Sequence, residues 1–485
     1  MPAASAFSPF LRERFLRAAF SVAKARLRPF PAGRNHEKCE EGVLCLSSHL
    51  ILQHLAVVVV YFFILGNLQK IFEKVIIKGN LKFFGGGNLM INEKMYELGS
   101  KRSAIREIFE YAKRRAGEIG AENVFDFSIG NPSVPAPACV EESIRSLVAQ
   151  TPSVELHGYT SAQGDKACRD KIAANLNARF DAGLTGDDLY MTCGAAACLT
   201  ISIHALACKG DEFIAFAPYF AEYKVFVEGA GAKFTALASE EGTFLPDFVA
   251  LERAMNPSVK ALIINSPNNP SGVVYKEEIL EKLAAFLRKK TAEYGRPVYL
   301  ISDEPYRELV YDENTKVPYP INYYPDTLVC YSYSKSLSLP GERIGYIAVS
   351  PRASDSKALY AAVCGAGRAL GFVCAPALFQ RVAAECDGKT ADLSVYRRNR
   401  DLLYRGLTDC GFSCVYPDGA FYLFAKSPEA DADAFCARAR KYELLLVSGD
   451  DFGCPGYVRI AYCVATEQIE RALPLFKKLA EEYGL

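Results

Sequence analysis

From about residue 120 onward the chain alternates short apolar runs with helical patterns, and that alternation constrains the fold more than any other feature. A strand followed by a helix and then by a similar strand is led back parallel to the first, and helices then bury the sheet on both faces. The expected fold class is therefore α/β, a mostly parallel sheet flanked by helices. No internal repeat, low-complexity tract or long charge run interrupts the pattern. In such sheets ligands bind beyond the carboxyl ends of the strands, so those ends are where chemistry is to be sought.

DLYMTC, ending at Cys193, runs into a helix that opens with Gly194, Ala195 and Ala196, residues small enough to let backbone N–H groups approach an anion such as phosphate. A small-residue turn serves packing equally well. EFIAFA ends in Pro218, Tyr219 and Phe220, which could set an aromatic face over a flat ligand or could be ordinary core. KALIIN ends in SPNNPSG, where Asn269 offers an amide within a tight turn. VYLIS ends in Asp303, with Tyr306 three residues on; a carboxylate there is costly to bury unless a cation meets it. TLVCY ends in Ser332, Lys335 and then Arg343, for which a solvated loop is the plain alternative. Each could be structural, but independent accidents converging on one sheet edge are hard to credit.

Composition excludes several function classes. Lys plus Arg and Asp plus Glu both number 56, so no net field draws the chain to nucleic acid or an anionic membrane, and a small-molecule partner is expected. The 16 cysteines are scattered through apolar segments of a long chain with no CxxC pair, which reads as reduced core thiols rather than a disulfide scaffold. With only five histidines, and His204 inside the apolar LTISIHALA, no metal site is expected.

The first ninety residues differ in texture. Met1 to Phe30 is basic, and Leu55 to Leu65 (LAVVVVYFFIL) is unbroken apolar sequence, about half of the roughly 20 residues a spanning helix needs. No A-x-A-like cleavage site follows it. Residues 1–89 are expected to be an extension outside the fold, with cytoplasmic location; membrane anchoring through residues 50–66 is the alternative.

The segment SYSKSLSLPGERIGY, with the ordered set of strand ends before it, resembles the class I/II aminotransferases, the aspartate aminotransferase family that uses pyridoxal 5′-phosphate. The resemblance covers about Met90 to Leu485. It implies that Lys335 is the lysine that condenses with the cofactor aldehyde and then shuttles the substrate proton. Ser332, Arg343 and the helix start at Ala195 and Ala196 match the phosphate ligands. Asp303 matches the carboxylate that keeps the pyridine nitrogen protonated, making the ring an electron sink. Asn269 and Tyr306 match the pair on the phenolic oxygen, and Phe220 occupies the ring-stacking position. In GYVRIAYCVATEQIERAL, Arg459 matches the grip on the substrate α-carboxylate. In FDFSIGNPSVPAP, the backbone of Gly130 would face the substrate. Tyr159, in HGYTSAQGDKACRDKIA, matches a tyrosine that crosses to the neighbouring subunit's phosphate, which implies a homodimer with shared sites. Arg368, in AGRALGF, resembles an arginine some members use for a dicarboxylate side chain, with a helix-surface arginine as the alternative. Two departures stand out: Ala195 and Ala196 bring no side-chain donor to the phosphate, and NPSG replaces the commoner NPTG.

The implied architecture is a large cofactor-binding domain over 135–385, and a small α/β domain from 90–134 and 386–485. The implied reaction moves an amino group from an L-amino acid to a 2-oxo acid, with aspartate or glutamate expected as one substrate. The same constellation also serves cofactor-dependent C–S or β-elimination lyases. A non-enzymatic ligand-sensing module is the other alternative; regulators of that kind carry a DNA-binding helix-turn-helix ahead of the enzyme-like part, and no basic two-helix pattern precedes this one.

Overall fold

The computed structural model describes residues 91–100 and 104–485. The expectations for 1–89 and for a membrane segment at 50–66 lie outside the described residues. Among those described, no helix is long and apolar enough to cross a membrane.

A short strand β1 (Phe125–Asp126) precedes the main sheet, which is built from β2 (Leu189–Thr192), β3 (Glu212–Ala217), β4 (Lys233–Ala238), β5 (Val259–Asn265), β6 (Tyr299–Asp303), β7 (Thr327–Ser332) and β8 (Gly345–Val349). Its order is β2-β8-β7-β6-β5-β3-β4. Every pairing is parallel except those of β8, which runs against both β2 and β7. Four later strands, β9 (Tyr422–Lys426), β10 (Leu444–Leu445), β11 (Val447–Ser448) and β12 (Tyr457–Ala461), form an antiparallel β11-β12-β9 sheet and a β1-β10 pair.

The central strands read as continuous apolar runs because both faces are covered. On β3, Phe213 and Ala215 pack with the helices Ala195–Leu206 and Ser356–Ala369, whereas Ile214 and Phe216 pack with Leu280, Leu283 and Leu287 of the helix Glu277–Tyr294. On β7, Val329 and Tyr331 meet Ile172 and Val382 of the helices Lys166–Phe180 and Ala377–Cys386. The edge strand β4 is half exposed, which is why KFTALA carries no apolar run.

A separate apolar cluster gathers Phe125 and Phe127 with Tyr396, Leu403, Phe421, Phe435, Ile460 and Phe476, and receives Tyr306 and Leu309 from the segment after β6. Among the described residues the fourteen cysteines are free thiols, and only Cys208 is exposed. His204 is half-buried with Nδ1 2.8 Å from the Thr200 carbonyl, and no group of side chains able to hold a metal occurs among the described residues.

Candidate active site

The ladder brings the chemistry to one edge. Asn265 stands opposite Asp303, Asp303 opposite Cys330, and Gly345 lies between Thr192 and Ser332. Beyond these ends lies a cavity of about 270 Å³ lined by Gly130, Ala195, Ala196, Phe220, Asn269, Asp303, Tyr306, Ser332, Lys335, Arg343 and Arg459, together with Leu199, Asn265, Pro305, Ser334, Pro340 and Tyr422. A wider cleft of about 780 Å³, beside Arg179 and residues 312–319, gathers no comparable set.

Lys335 projects from the one-turn helix Tyr333–Ser336 directly after β7. Its Nζ donates to the Gly130 carbonyl at 2.6 Å and lies 5.5 Å from the Phe421 ring centre. Burial pushes the ε-amine down to about 8; the nearby Cys463 thiol opposes this, and the Arg343 and Arg459 guanidinium groups add to it. The neutral amine, the form able to act as nucleophile or base, is therefore far more populated near neutral pH than that of an ordinary lysine.

Asp303 is 4 % exposed. Its Oδ2 accepts a 2.6 Å hydrogen bond from Tyr223, whereas Oδ1 is buried without a partner. Burial raises the carboxyl to about 7; the Tyr223 phenol opposes the rise and Glu304 adds to it. A buried carboxylate oxygen left unpaired at a cavity wall calls for a cation there.

At the other end, Gly194 (φ 85°) precedes the helix whose first amides, at Ala195 and Ala196, have no intrahelical acceptor. A Cβ on Gly194 would come within 3.0 Å of Arg343 Nη2, so glycine leaves the room the guanidinium occupies. Arg343 Nη1 donates to the Pro340 carbonyl at 3.0 Å and lies 3.5 Å from Ser334 Oγ, which is 2.7 Å from Ser332 Oγ. Helix amides, two hydroxyls and a guanidinium form an oxyanion cradle.

Between these ends, Asn269 is pinned by its N–H to Asn265 Oδ1 at 2.6 Å, and its Oδ1 accepts from Arg459 Nη1 at 3.0 Å. Arg459 also donates through Nη2 to the Ser128 carbonyl, while its Nε is buried without a partner. The Tyr306 and Tyr422 hydroxyls meet at 3.0 Å. Burial pushes Tyr306 well above its ordinary value, so it stays a proton donor. Phe220 meets Tyr223 edge-on at 5.7 Å. A Cβ on Gly130 would overlap the Tyr422 hydroxyl, which explains glycine in that backbone's close approach.

Eleven of the thirteen residues singled out from the sequence thus line one cavity. Tyr159 and Arg368 do not: Tyr159 is 98 % exposed, and Arg368 is exposed on the helix Ser356–Ala369. Their neighbourhoods are joined, since Cys374 N donates to the Ala162 carbonyl at 3.4 Å and Gln380 Nε2 to Thr160 Oγ1 at 3.3 Å. Sequence reasoning passed over Tyr223, Ser334 and Tyr422. Ser334 lies inside the quoted SYSK, and Tyr223 follows Phe220 at helical spacing, but Tyr422 in DGAFYLF carries no local mark of chemistry.

The residues present suit pyridoxal 5′-phosphate: an amine, an oxyanion cradle, and between them a carboxylate oxygen that lacks a cation. Comparison with known proteins agrees. The family described as aminotransferase class I and II matches residues 122–475. The aspartate/prephenate aminotransferase of Thermus thermophilus is 31 % identical over 72 % of this chain and 89 % of its own length. The aspartate aminotransferase of Thermotoga maritima is 31 % identical over 75 % and 93 % respectively. The crystal structure of an amino transferase from Eubacterium rectale superposes with a TM-score of 0.80 at 56 % identity, covering 82 % of this chain and 100 % of that one. The chain belongs to the class I and II aminotransferases, pyridoxal 5′-phosphate-dependent enzymes that move an amino group from an amino acid to a 2-oxo acid.

Proposed function

We propose that this cavity transaminates aspartate or glutamate as one of its substrates, with each side chain in the role its position suggests. The carrying observation is the pairing of a partnerless buried Asp303 Oδ1 with a half-buried Lys335 amine in one cavity. Bound pyridoxal phosphate supplies an aldehyde that captures amines and a protonated ring that draws electrons from the substrate Cα. Asp303 Oδ1 would balance the charge of the ring nitrogen, while Tyr223 holds the other oxygen. Ser332, Ser334, Arg343 and the amides of Ala195 and Ala196 hold the phosphate. Asn269 and Tyr306 would hold the phenolic oxygen, and Phe220 would supply an aromatic face for the ring. Arg459 takes the substrate carboxylate through the fork that Asn269 and Ser128 orient. Lys335, released from the Gly130 carbonyl, carries the proton to and from Cα.

Two further assignments belong to this reading. The chain works as a homodimer in which Tyr159 and Arg368 of one copy complete the other copy's site, Tyr159 at the phosphate and Arg368 at the substrate's second carboxylate. Their exposure in the single chain supports the shared site, and the names of the relatives, aspartate/prephenate and aspartate aminotransferase, support a dicarboxylate substrate. Residues 90–134 with 386–485 form the small domain over a large domain of 135–385, in a cytoplasmic enzyme; the separate apolar cluster around Phe127, Tyr396 and Phe476 supports the partition.

The test is the visible spectrum of purified protein during titration with aspartate, glutamate, aromatic and aliphatic amino acids, with the 2-oxo acid products measured. Bleaching by aspartate or glutamate, lost selectively in Arg368→Ala, is the expected result. Colour that no amino acid bleaches, or pyruvate and ammonia released from an added cysteine-like donor without a 2-oxo acid acceptor, counts against transamination. An unchanged donor preference in Arg368→Ala removes its assignment.

A further inference from the structure

Side chains alternate along the segment that leads to Lys335, and only one set faces the cavity. Ser332 and Ser334 line it, whereas Tyr331 and Tyr333 point away and are fully buried. Each phenol ends on a carboxylate. Tyr331 Oη donates to Glu308 Oε2 at 2.7 Å and meets Ser336 Oγ at 3.0 Å; Tyr333 Oη donates to Asp387 Oδ1 at 2.8 Å. The Ser336 carbonyl accepts from Ala391 N at 2.8 Å. The turn bearing Lys335 is therefore held from behind on both sides, by Glu308 and by the segment 387–391.

The two carboxylates are not alike. Glu308 has a cation, Arg179, at 2.9 Å. Asp387 is bonded to neutral donors, the Tyr333 phenol and Asn175 Nδ2 at 2.5 Å, with Arg179 and Glu308 acting on it only at longer range. Burial pushes it up to about 6. A carboxylate so placed is held at the expense of fold stability, since a neutral side chain of like size would avoid the desolvation. What it provides is a charge-assisted hydrogen bond, stronger and more directional than a neutral one, to the ring two residues before the lysine.

We propose that Asp387, acting through Tyr333, is a positioning residue for Lys335: it locks the one-turn helix from which the ε-amine enters the cavity, and so fixes the direction in which that amine meets the substrate proton. This rests on the reading of Lys335 as the group that moves that proton.

The test uses the holoenzyme variants Asp387→Asn and Tyr333→Phe. The expected result is a kcat about 10- to 100-fold lower with KM for the amino donor within about twofold of wild type. The primary isotope effect with Cα-deuterated donor should grow, because cleavage of that bond becomes the slower step. A merely lower content of folded, loaded enzyme would scale kcat and leave the isotope effect unchanged. In cofactor-free protein, acetylation of Lys335 by acetic anhydride, followed by peptide mass and normalised to surface lysines, should change severalfold in both variants. If Asp387→Asn does not fold, Tyr333→Phe, which removes a single oxygen, decides. An unchanged isotope effect together with an unchanged Lys335 acetylation rate overturns the proposal. If wild-type protein moves no amino group, the proposed function fails and the acetylation arm alone decides the positioning.

Discussion

At the scale of single residues the site depends on two groups held away from their ordinary titration. Asp303 is raised to about 7, chiefly by burial, so the cofactor-free protein favours its neutral form below about pH 7. A raised carboxyl contributes stability that is complete below its unfolded value near 3.8 and is lost as pH rises through about 7. Asp303→Asn should therefore stabilise cofactor-free protein at about pH 8 and not at about pH 4, by a few kcal/mol at most, and raise its melting temperature accordingly. On the proposed role of Asp303 in balancing the ring cation, the same variant should lose about 100-fold or more in kcat. Differential scanning fluorimetry at the two pH values and steady-state rates check both halves. Lys335 is shifted the other way, down to about 8, with burial as the leading cause. Because the neutral amine is the nucleophile, capture of added pyridoxal phosphate by cofactor-free protein should accelerate with pH and level off above about 8, as followed by stopped-flow absorbance. A plateau reached only near the ordinary lysine value would show that the amine is not buried in this way.

At the scale of elements, strand ends and the turns after them aim the chemistry. Gly194 sits between β2 and its helix at a φ of 85°, against the Arg343 guanidinium. Gly194→Ala would strain the backbone and crowd the guanidinium together. It should weaken cofactor affinity about tenfold and destabilise the protein by about 1–2 kcal/mol. Equilibrium dialysis against pyridoxal phosphate and chemical denaturation measure these separately. Most of these elements are legible in the sequence, because strands buried on both faces need an apolar core, and β3 (FIAFA), β5 (ALII), β6 (YLI) and β7 (LVCY) each carry one. The edge strand β4 is not, since half its residues meet water. IGYI reads as a strand, but its antiparallel direction does not show in four apolar letters; it follows from the short return after Arg343 that sets Gly345 beside Ser332.

At the scale of the whole molecule, Tyr159 and Arg368 lie outside the cavity of their own chain. If copies share sites, mixing Lys335→Ala with Tyr159→Ala should recover activity neither variant has. Each hybrid dimer then holds one intact site, giving about a quarter of wild-type activity after random exchange. Sedimentation of the mixture confirms the dimer, and no recovery would place Tyr159 outside the shared site. The apolar cluster around Phe127 and Phe476 joins residues more than three hundred positions apart, which periodicity alone does not reveal.

The sequence by itself determined the alternating layers and the residue types at the strand ends, because burial on two faces and the need for an amine, an acid and an oxyanion cradle leave local marks. It also carried the order of motifs from Gly130 to Arg459. Only the tertiary structure decided which groups lack partners and which are held from behind: the free oxygen of Asp303, the Tyr223 phenol on its mate, and the Tyr333–Asp387 contact beneath Lys335. Those depend on contacts between distant segments, and hydrogen bonding over a few ångströms leaves no period in the chain.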